Sequence, residues 1–563
     1  MPRQNAPAGA RSLHLWLLGI ALLSAVPLTY LALTRRIEFD DYWNAFVALQ
    51  DRWSNLVAEY QANPHPPLYY LLLRATLWFG RSHLAYRASS MLAEVGTVYL
   101  VGLAASRLTR SRVEAVLAAL AYGLAMPTLL VAIEVRGYMV CTFFILLSYC
   151  YLLRTWTLEE PAGTLRWRAA FALSAVLGVL SDYYSFFYAG AVLAAACLVA
   201  LVRRPGSRVK ALAGELATFA PVLAAMALLF VSHTESQLRL WPHLRRFFYG
   251  GGEPESPMAF VLRNLQSDFD YLSPWWIENR AIFLAILTGL LAVGAATVWM
   301  VRRIREPKNL PAAATVVVTV LILAELAWVG LTDKYPFGGE LRHQFLLFPF
   351  LVLCGFVFLD RLAARLPRKA AGALAAAAVA GILVVGYFWF GAYPGESEKL
   401  MTRQMERFDD LFPASAAVYV DRFNLYAFFL HHDDWQWTYQ GPALFTSNVD
   451  VYRVSRGRRK ILVLRDKLRW LLEYDDEALY IDLAAAMRSE DLPAMDVFHV
   501  SPLEDQPREA SELREYRKRA AAAAEEHGLC LQQLTIHNGD GYAELRPGRC
   551  EAGTGGFDGT VIR

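Results

Sequence analysis

Glu38-Phe39-Asp40-Asp41-Tyr42-Trp43 follows the first long apolar run, Leu13 to Thr34, with only Arg35, Arg36 and Ile37 between them. At about 1.5 Å per residue that run reaches across a bilayer. Two adjacent carboxylates therefore stand where the chain has just left hydrocarbon, in a loop rich in Trp and Tyr, an unusual place for paired acids. Further on comes His65-Pro66-Pro67-Leu68-Tyr69-Tyr70. Its two prolines force an extended approach to another apolar run, as if loop 35–66 folded back against the membrane.

The composition fits this reading. Of 563 residues 56% are hydrophobic and only 19% charged, far from the average of soluble domains, so the chain is an integral membrane protein. A net charge of +3 is near balance and points away from nucleic acid or another polyanion as partner. The N-terminus, with Arg3 and Arg11, precedes an apolar run too long for a signal-peptide core. It is read as a retained first helix with its N-terminus in the cytoplasm.

Further runs long enough to span lie at 84–106, 113–132, 137–153, 169–181, 186–202, 211–232, 281–301, 311–331, 344–362 and 371–391, about 11 transmembrane helices in all. The connections alternate in kind. Arg107/Arg110/Arg112, Arg154/Arg166/Arg168, Arg203/Arg204/Arg208/Lys210, Arg302/Arg303/Arg305/Lys308 and Arg361/Arg365/Arg368/Lys369 lie in short basic loops, which the positive-inside rule places in the cytoplasm. The acid loop, the Glu134 corner, Ser181-Asp182, the stretch 233–280 and Thr332 to His343 then face outward, with everything after residue 392. Were Pro67 to Phe79 a full span, every basic cluster would change side, so it is read as juxtamembrane or half-inserted. The division expected is a transmembrane part over 1–391, with an outward first loop over 35–83, and an extracytoplasmic soluble α/β domain over 392–563. In that domain β-type runs at 417–420, 461–464 and 497–500 alternate with helix-type runs such as 511–527.

Several outward residues are candidates for chemistry. Asp40 and Asp41 raise each other's cost of ionising, which suits a general base; the alternative is a solvated helix cap. His65 is a hydrogen-bonding partner at the turn of the loop. Arg74 and Arg87 lie in or beside apolar runs, where a cation must be paired, snorkel or line a cavity, and either is a candidate for a phosphate. Glu134 and Arg136 form an interfacial charge pair or turn Arg136 toward an outer cavity. Asp182 and Tyr183 add a carboxylate and a phenol at similar depth. Arg342 and His343 directly precede a span, as a phosphate clamp or a membrane-edge anchor. The aromatic and arginine-rich segment from Trp241 reads as an interfacial anchor or a substrate-covering loop. No metal-type spacing is present, and no metal is assigned. Of the six cysteines only Cys530 and Cys550 lie in the polar C-terminal region, where a disulfide between them is plausible outside the cytoplasm.

The acid pair after the first span, the His-Pro-Pro-Leu-Tyr-Tyr run, the Glu-x-Arg-x-Tyr corner and the late Arg-His loop, in that order, resemble the C-superfamily (GT-C) glycosyltransferases, nearest the protein O-mannosyltransferase and aminoarabinose-transferase-like group, glycosyltransferase family 39-like. The resemblance covers roughly residues 13–362. It implies a GT-C type transmembrane fold in a bacterial inner (plasma) membrane and a polyprenyl-phosphate-linked sugar donor with its head group in an outward cavity. It also implies inverting transfer to an extracytoplasmic glycan, lipid or protein acceptor. The family motif is usually Asp-Glu with the Asp as base. Here it reads Asp-Asp, so Asp40 is the direct match and Asp41 a substituted neighbour, and the base remains one of the two. By the same match Arg136, Tyr138, Arg342 and His343 fall at donor-lining positions. A divalent metal is not required in every branch of the family.

Two other readings compete. A surface-polysaccharide ligase or polymerase would use its arginines on a lipid diphosphate and tolerate loss of Asp40 better. A transporter or scaffold would more often show related halves, and no internal repeat is evident.

Overall fold

The structure, a computed structural model, describes residues 8–35, 39–50, 52–63, 65–80, 82–157, 164–203, 207–234, 249, 256–272, 309–332, 334–335, 337, 341–367 and scattered positions to 381. In the C-terminal part it describes 417–420, 425–426, 428–429, 436–442, 449–456, 459–466, 477–500, 510–537 and 540–550. The predicted span 281–301, most of 371–391 and the segment Trp241 to Phe248 lie outside the described residues. The chain divides into two units, Met1–Ile37 with Val47–Glu396, and Glu38–Phe46 with Ser397–Arg563.

The first unit is helical. It opens with α1 (Ala8–Thr34), whose Leu15, Trp16, Leu22, Leu23, Val26 and Leu33 are all exposed. Large apolar side chains left uncovered along a helix of this length mark hydrocarbon as the solvent. Three short helices follow: α2 (Phe39–Leu49), α3 (Trp53–Ala62) and α4 (Pro67–Thr76). Pro66 is extended and Pro67 sits in the first turn of α4, where a missing N–H costs nothing. With 10 residues α4 is about 15 Å long, half of the apolar thickness. The long α5 (His83–Leu108) is capped by Ser82, which accepts from the Ala85 N–H at 3.2 Å.

Next come α6 (Arg112–Gly123), α7 (Met126–Ile133), α8 (Tyr138–Thr157), α9 (Thr164–Val179), α10 (Ser185–Arg203), α11 (Arg208–Leu229), α12 (Pro257–Leu272), α13 (Leu310–Leu331) and α14 (Leu347–Ala363). Among the described residues six helical stretches are long and apolar enough to cross a membrane: Ser12–Thr34, Leu84–Leu108, Tyr138–Thr157, Ser185–Arg203, Arg208–His233 and Leu310–Leu331. The predicted span 113–132 is two helices, α6 and α7, bent by 52°. Pro127 has no N–H to give and its ring collides with the carbonyl four residues back, so the helix restarts there. The runs at 169–181 and 344–362 fall on α9 and α14, of 16 and 17 residues. At about 25 Å each, these are shorter than the hydrocarbon unless it thins around them. Within this unit α5 packs against α1, α6 and α8, and α8 against α9.

The second unit is an α/β domain. Strands β1 (Ala417–Val420), β2 (Gln436–Pro442), β3 (Val449–Arg456), β4 (Arg459–Asp466), β5 (Met495–Val500), β6 (Leu529–His537) and β7 (Asp540–Pro547) form a 7-stranded sheet in the order β2-β3-β4-β1-β5-β7-β6. Central β1 runs parallel to β4 and β5, and the outer pairings are antiparallel. Helices α15 (Glu477–Ser489) and α16 (Ala510–Glu526) cover it, with Tyr419, Leu464, Leu483, Met487, Val497 and Ala524 buried in the shared core. The β-type runs read from the sequence fall in β1, β4 and β5, and the helix-type run in α16. Gly528, at φ +73°, turns the chain from α16 into β6. Cys530 and Cys550 form a disulfide with Cα atoms 4.9 Å apart.

This unit also contains residues 38–46, which the sequence alone assigns to the membrane part. The reason lies in two rings of α2. Trp43 stacks on Tyr426 at 5.6 Å, and Phe46 meets Tyr426, Phe429 and Tyr452 at 5.1, 4.9 and 6.1 Å. Both are buried, unlike the exposed side chains of α1. Burying such a ring contributes about 1.5–3 kcal/mol, and each aromatic pair about 0.5–1.5 more.

Candidate active site

In the first unit, three bends and one helical turn carry most of the candidates. His65 stands just before the Pro-Pro start of α4. Its backbone N–H donates to Asn63 Oδ1 at 3.2 Å, and the Leu68 N–H donates to the Leu180 carbonyl at 2.9 Å. The loop is thus pinned to the corner between α9 and α10, where His65 Nδ1 and Asp182 Oδ2 lie 3.3 Å apart. Both are buried. Asp182 is itself fixed: its Oδ1 accepts from the Tyr184 N–H at 3.2 Å and its carbonyl from the Ser185 hydroxyl at 2.7 Å, which starts α10.

The bend between α7 and α8 carries Glu134 and Arg136. The Arg136 carbonyl accepts from the Ser90 hydroxyl at 3.1 Å, and its guanidinium lies 5.9 Å from the Tyr138 ring centre. Gly137 is a steric requirement here. A Cβ on it would run into the Ser181 carbonyl oxygen and touch Tyr69 Cβ at 3.4 Å. Gly137→Ala is expected to force the α7–α8 and α9–α10 bends apart, costing about 1–3 kcal/mol as overpacking does together with most of the activity. Thermal unfolding of the purified variant beside Gly178→Ala, whose Cβ would meet its neighbours at ordinary 3.7 Å contact, checks it.

Tyr138 is the hub. Its ring stacks on Tyr184 at 5.9 Å and takes the edges of His65 at 5.7 Å and His343 at 6.3 Å. Tyr184 is held by the Thr142 hydroxyl at 2.5 Å and by the Tyr138 carbonyl. His343 comes from the helical turn Leu341–Gln344, and its carbonyl accepts from the Tyr335 hydroxyl at 3.4 Å. Burial, then the Asp182 carboxylate, pushes the Tyr335 phenol well above its usual range, against the pull of the Arg342 guanidinium. Burial does the same to Tyr70, opposed by Arg136. These phenols stay neutral donors while the two arginines stay charged.

Four segments far apart in sequence therefore bring His65, Asp182, Arg136, Tyr138, Arg342 and His343 to one place, with Glu134 on the same bend as Arg136. Tyr183 faces a neighbouring group: its hydroxyl bonds His233 Nδ1, and the His233 ring stacks on Tyr60 at 4.5 Å. Burial pushes the Tyr60 phenol up to about 12. Sequence reading did not single out His233, Tyr335, Tyr60 or Tyr70. The signal for His233 was its place at the outward end of a span, the position that marks Arg342 and His343.

Arg74 and Arg87 have other work. Arg87 is fully buried, with Nε donating to the Ile133 carbonyl at 2.7 Å and Nη1 to the Ala32 and Arg35 carbonyls at 2.5 and 2.8 Å. It closes the C-termini of α1 and α7, where unpaired carbonyls attract a cation. Arg74 donates to the Ala48 carbonyl at 3.2 Å and to that of Gln50, at the end of α2, with its guanidinium 5.1 Å from the Trp53 ring. Main-chain carbonyls thus engage Arg74 Nη1 and Arg87 Nε and Nη1, which gives both side chains a structural role beside the phosphate contact expected from sequence.

The acid pair lies on α2. Asp41 is buried and belongs, with Asp40, to the second unit; the Asp40 side chain is outside the described residues. Among the described residues no group of three or more His, Cys, Asp or Glu is arranged to hold a metal ion.

No family model and no curated protein matches the sequence. Among solved structures, ArnT from Cupriavidus metallidurans in the apo state matches with a TM-score of 0.52 and 13% identity over 95% of this chain and 98% of that one. The same protein bound to undecaprenyl phosphate gives 0.44 and 14% over 76% and 70%. The Archaeoglobus fulgidus oligosaccharyltransferase in complex with zinc and sulfate gives 0.44 and 12% over 73% and 61%. The near end-to-end likeness to apo ArnT shows the fold: a helical polytopic membrane protein with a C-terminal α/β domain, arranged as in that structure.

Proposed function

From a chain with the GT-C fold, we propose a membrane glycosyltransferase that moves a sugar from a polyprenyl-phosphate donor to an extracytoplasmic acceptor with inversion at the anomeric carbon. The observation that carries it is the convergence of Arg136, Arg342, His65 and His343 around Tyr138 in the membrane unit. Two arginines beside imidazoles and neutral phenols at the end of apolar spans form a ready receptor for a phosphate whose lipid tail stays in the bilayer. In the reaction, the acceptor O–H or N–H gives its proton to Asp40 or Asp41. The acceptor atom bonds to the anomeric carbon from the face opposite the phosphate, the C–O bond to phosphate breaks, and the electron pair leaves with the polyprenyl phosphate, held by the arginines. His65, paired with Asp182, and Tyr138 orient the phosphate and sugar. The acceptor is a glycan, lipid or protein on the outer side of a bacterial inner membrane, where a disulfide between Cys530 and Cys550 persists.

The test is purified wild-type protein in lipid nanodiscs given a panel of polyprenyl-phosphate sugars and a cell-envelope extract as acceptor. Turnover of one donor with release of polyprenyl phosphate and an inverted linkage is expected. No turnover of any monophosphate donor, with turnover of a diphosphate-linked glycan, would replace this reading by that of a polysaccharide ligase.

A further inference from the structure

Residues 38–46 occupy a particular place on the C-terminal sheet. After β1 the chain builds β4 on one side of it and, after α15, β5 on the other, both parallel to β1. The carboxyl end of β1 is therefore a topological switch point, the place where open α/β sheets take their ligands. Val420, the last residue of β1, pairs with Arg465 of β4, and Arg465 pairs with Asp450 of β3. Arg465 is 4% exposed, its Nη2 lies 2.5 Å from Asp450 Oδ2, and its guanidinium carbon lies 5.6 Å from the ring centres of both Phe46 and Tyr452. Tyr426 and Phe429, which follow β1, close on Trp43 and Phe46 from the other side. The protein's own segment thus covers the β3–β4 side of the sheet, next to the residues that follow β1.

We propose that the C-terminal domain holds the acid pair. Its sheet, through Tyr452 and Arg465, and the segment after β1, through Tyr426 and Phe429, grip Trp43 and Phe46 and thereby fix the helix on which Asp40 and Asp41 are carried. This rests on the transfer reading for the part the acids play, but not for the grip itself. Trp43, Phe46, Tyr426 and Arg465 are positioning residues. They touch no reacting atom, and they act through α2.

The experiment uses the full chain in nanodiscs and two readouts, amide hydrogen exchange over residues 39–46 and transfer kinetics, in wild type, Tyr426→Ala and Tyr426→Phe. In Tyr426→Ala, exchange over 39–46 is expected to quicken by at least about tenfold. Its kcat is expected to fall by at least about tenfold with KM for the lipid donor within about twofold. Tyr426→Phe, which keeps the ring, should recover most of the loss in both. Unchanged exchange in Tyr426→Ala, or faster exchange with unchanged kcat, overturns the proposal. A wild-type protein with no transferase activity defeats the transfer reading, and the exchange result still decides the grip. Should Tyr426→Ala fail to fold, a Trp43→Cys/Tyr426→Cys pair treated in membranes with a short bifunctional thiol reagent replaces it. A mapped 43–426 cross-link that raises transfer above that of the untreated pair supports the proposal, and absence of the cross-link, or its formation with no gain in transfer, overturns it.

Discussion

Transfer from the lipid-linked donor is expected to fall by about 10²–10⁴-fold in one of two variants, Asp40→Asn or Asp41→Asn, with affinity for polyprenyl phosphate unchanged. The amide keeps the shape of the carboxylate and cannot take the acceptor's proton. The two positions are physically unlike. Asp40 stands in the first turn of α2, where the helix N-terminus favours the ionised form. Asp41 is 2% exposed, and a carboxylate so deeply buried is held by partners whose loss is felt in folding. Thermal unfolding measured beside turnover separates the roles. The base variant loses turnover at unchanged stability, whereas a structural acid loses stability first. Full activity in both variants would remove the acid pair from the mechanism.

Arg136→Ala is expected to lower kcat/KM by about 10²–10³-fold, the usual effect of deleting one preorganised charge from a site where negative charge develops. It should also weaken binding of the released product, polyprenyl phosphate. Arg136→Lys should recover only part of the loss, because an ammonium group supplies the charge without the planar fork. Arg87→Ala makes the contrast. It leaves three main-chain carbonyls in the protein interior without their guanidinium donor, so it should depress folding yield while any folded fraction binds polyprenyl phosphate normally. Equal binding by wild type and Arg136→Ala would show that the phosphate is held elsewhere.

Much of the fold is legible from charge and periodicity. The predicted runs at 13–34, 84–106, 137–153, 186–202, 211–232 and 311–331 fall on the long helices because an apolar run bounded by arginines has one physical outcome in a bilayer. The bend inside 113–132 was written in Pro127, yet hydropathy averages over a single proline. His65, Arg136, Tyr138, Asp182 and His343 could be picked out one by one because each stands where an apolar run meets a polar bend. Their gathering about one ring is a property of tertiary packing. The main-chain bonds of Arg74 and Arg87 are hidden from sequence for the same reason. A cation at the edge of an apolar run looks alike whether it awaits a phosphate or closes a helix end, and only the positions of distant carbonyls decide. The assignment of 38–46 to the second unit was the least accessible feature, since the partners of Trp43 and Phe46 lie almost four hundred residues further along the chain.

Arg74 and Arg87 donate to backbone oxygens of residues 32, 35, 48, 50 and 133. A carbonyl oxygen is the same whatever side chain its residue carries. Substitutions that the packing accepts at those five positions therefore leave the two clasps intact, whereas a change at either arginine has no compensating change available at its acceptors. The fastening of the chain on both sides of the acid pair is in this way one-sided in heredity. A library randomised at all seven positions should return those residues that fit the packing at the acceptors, and arginine alone at the donors.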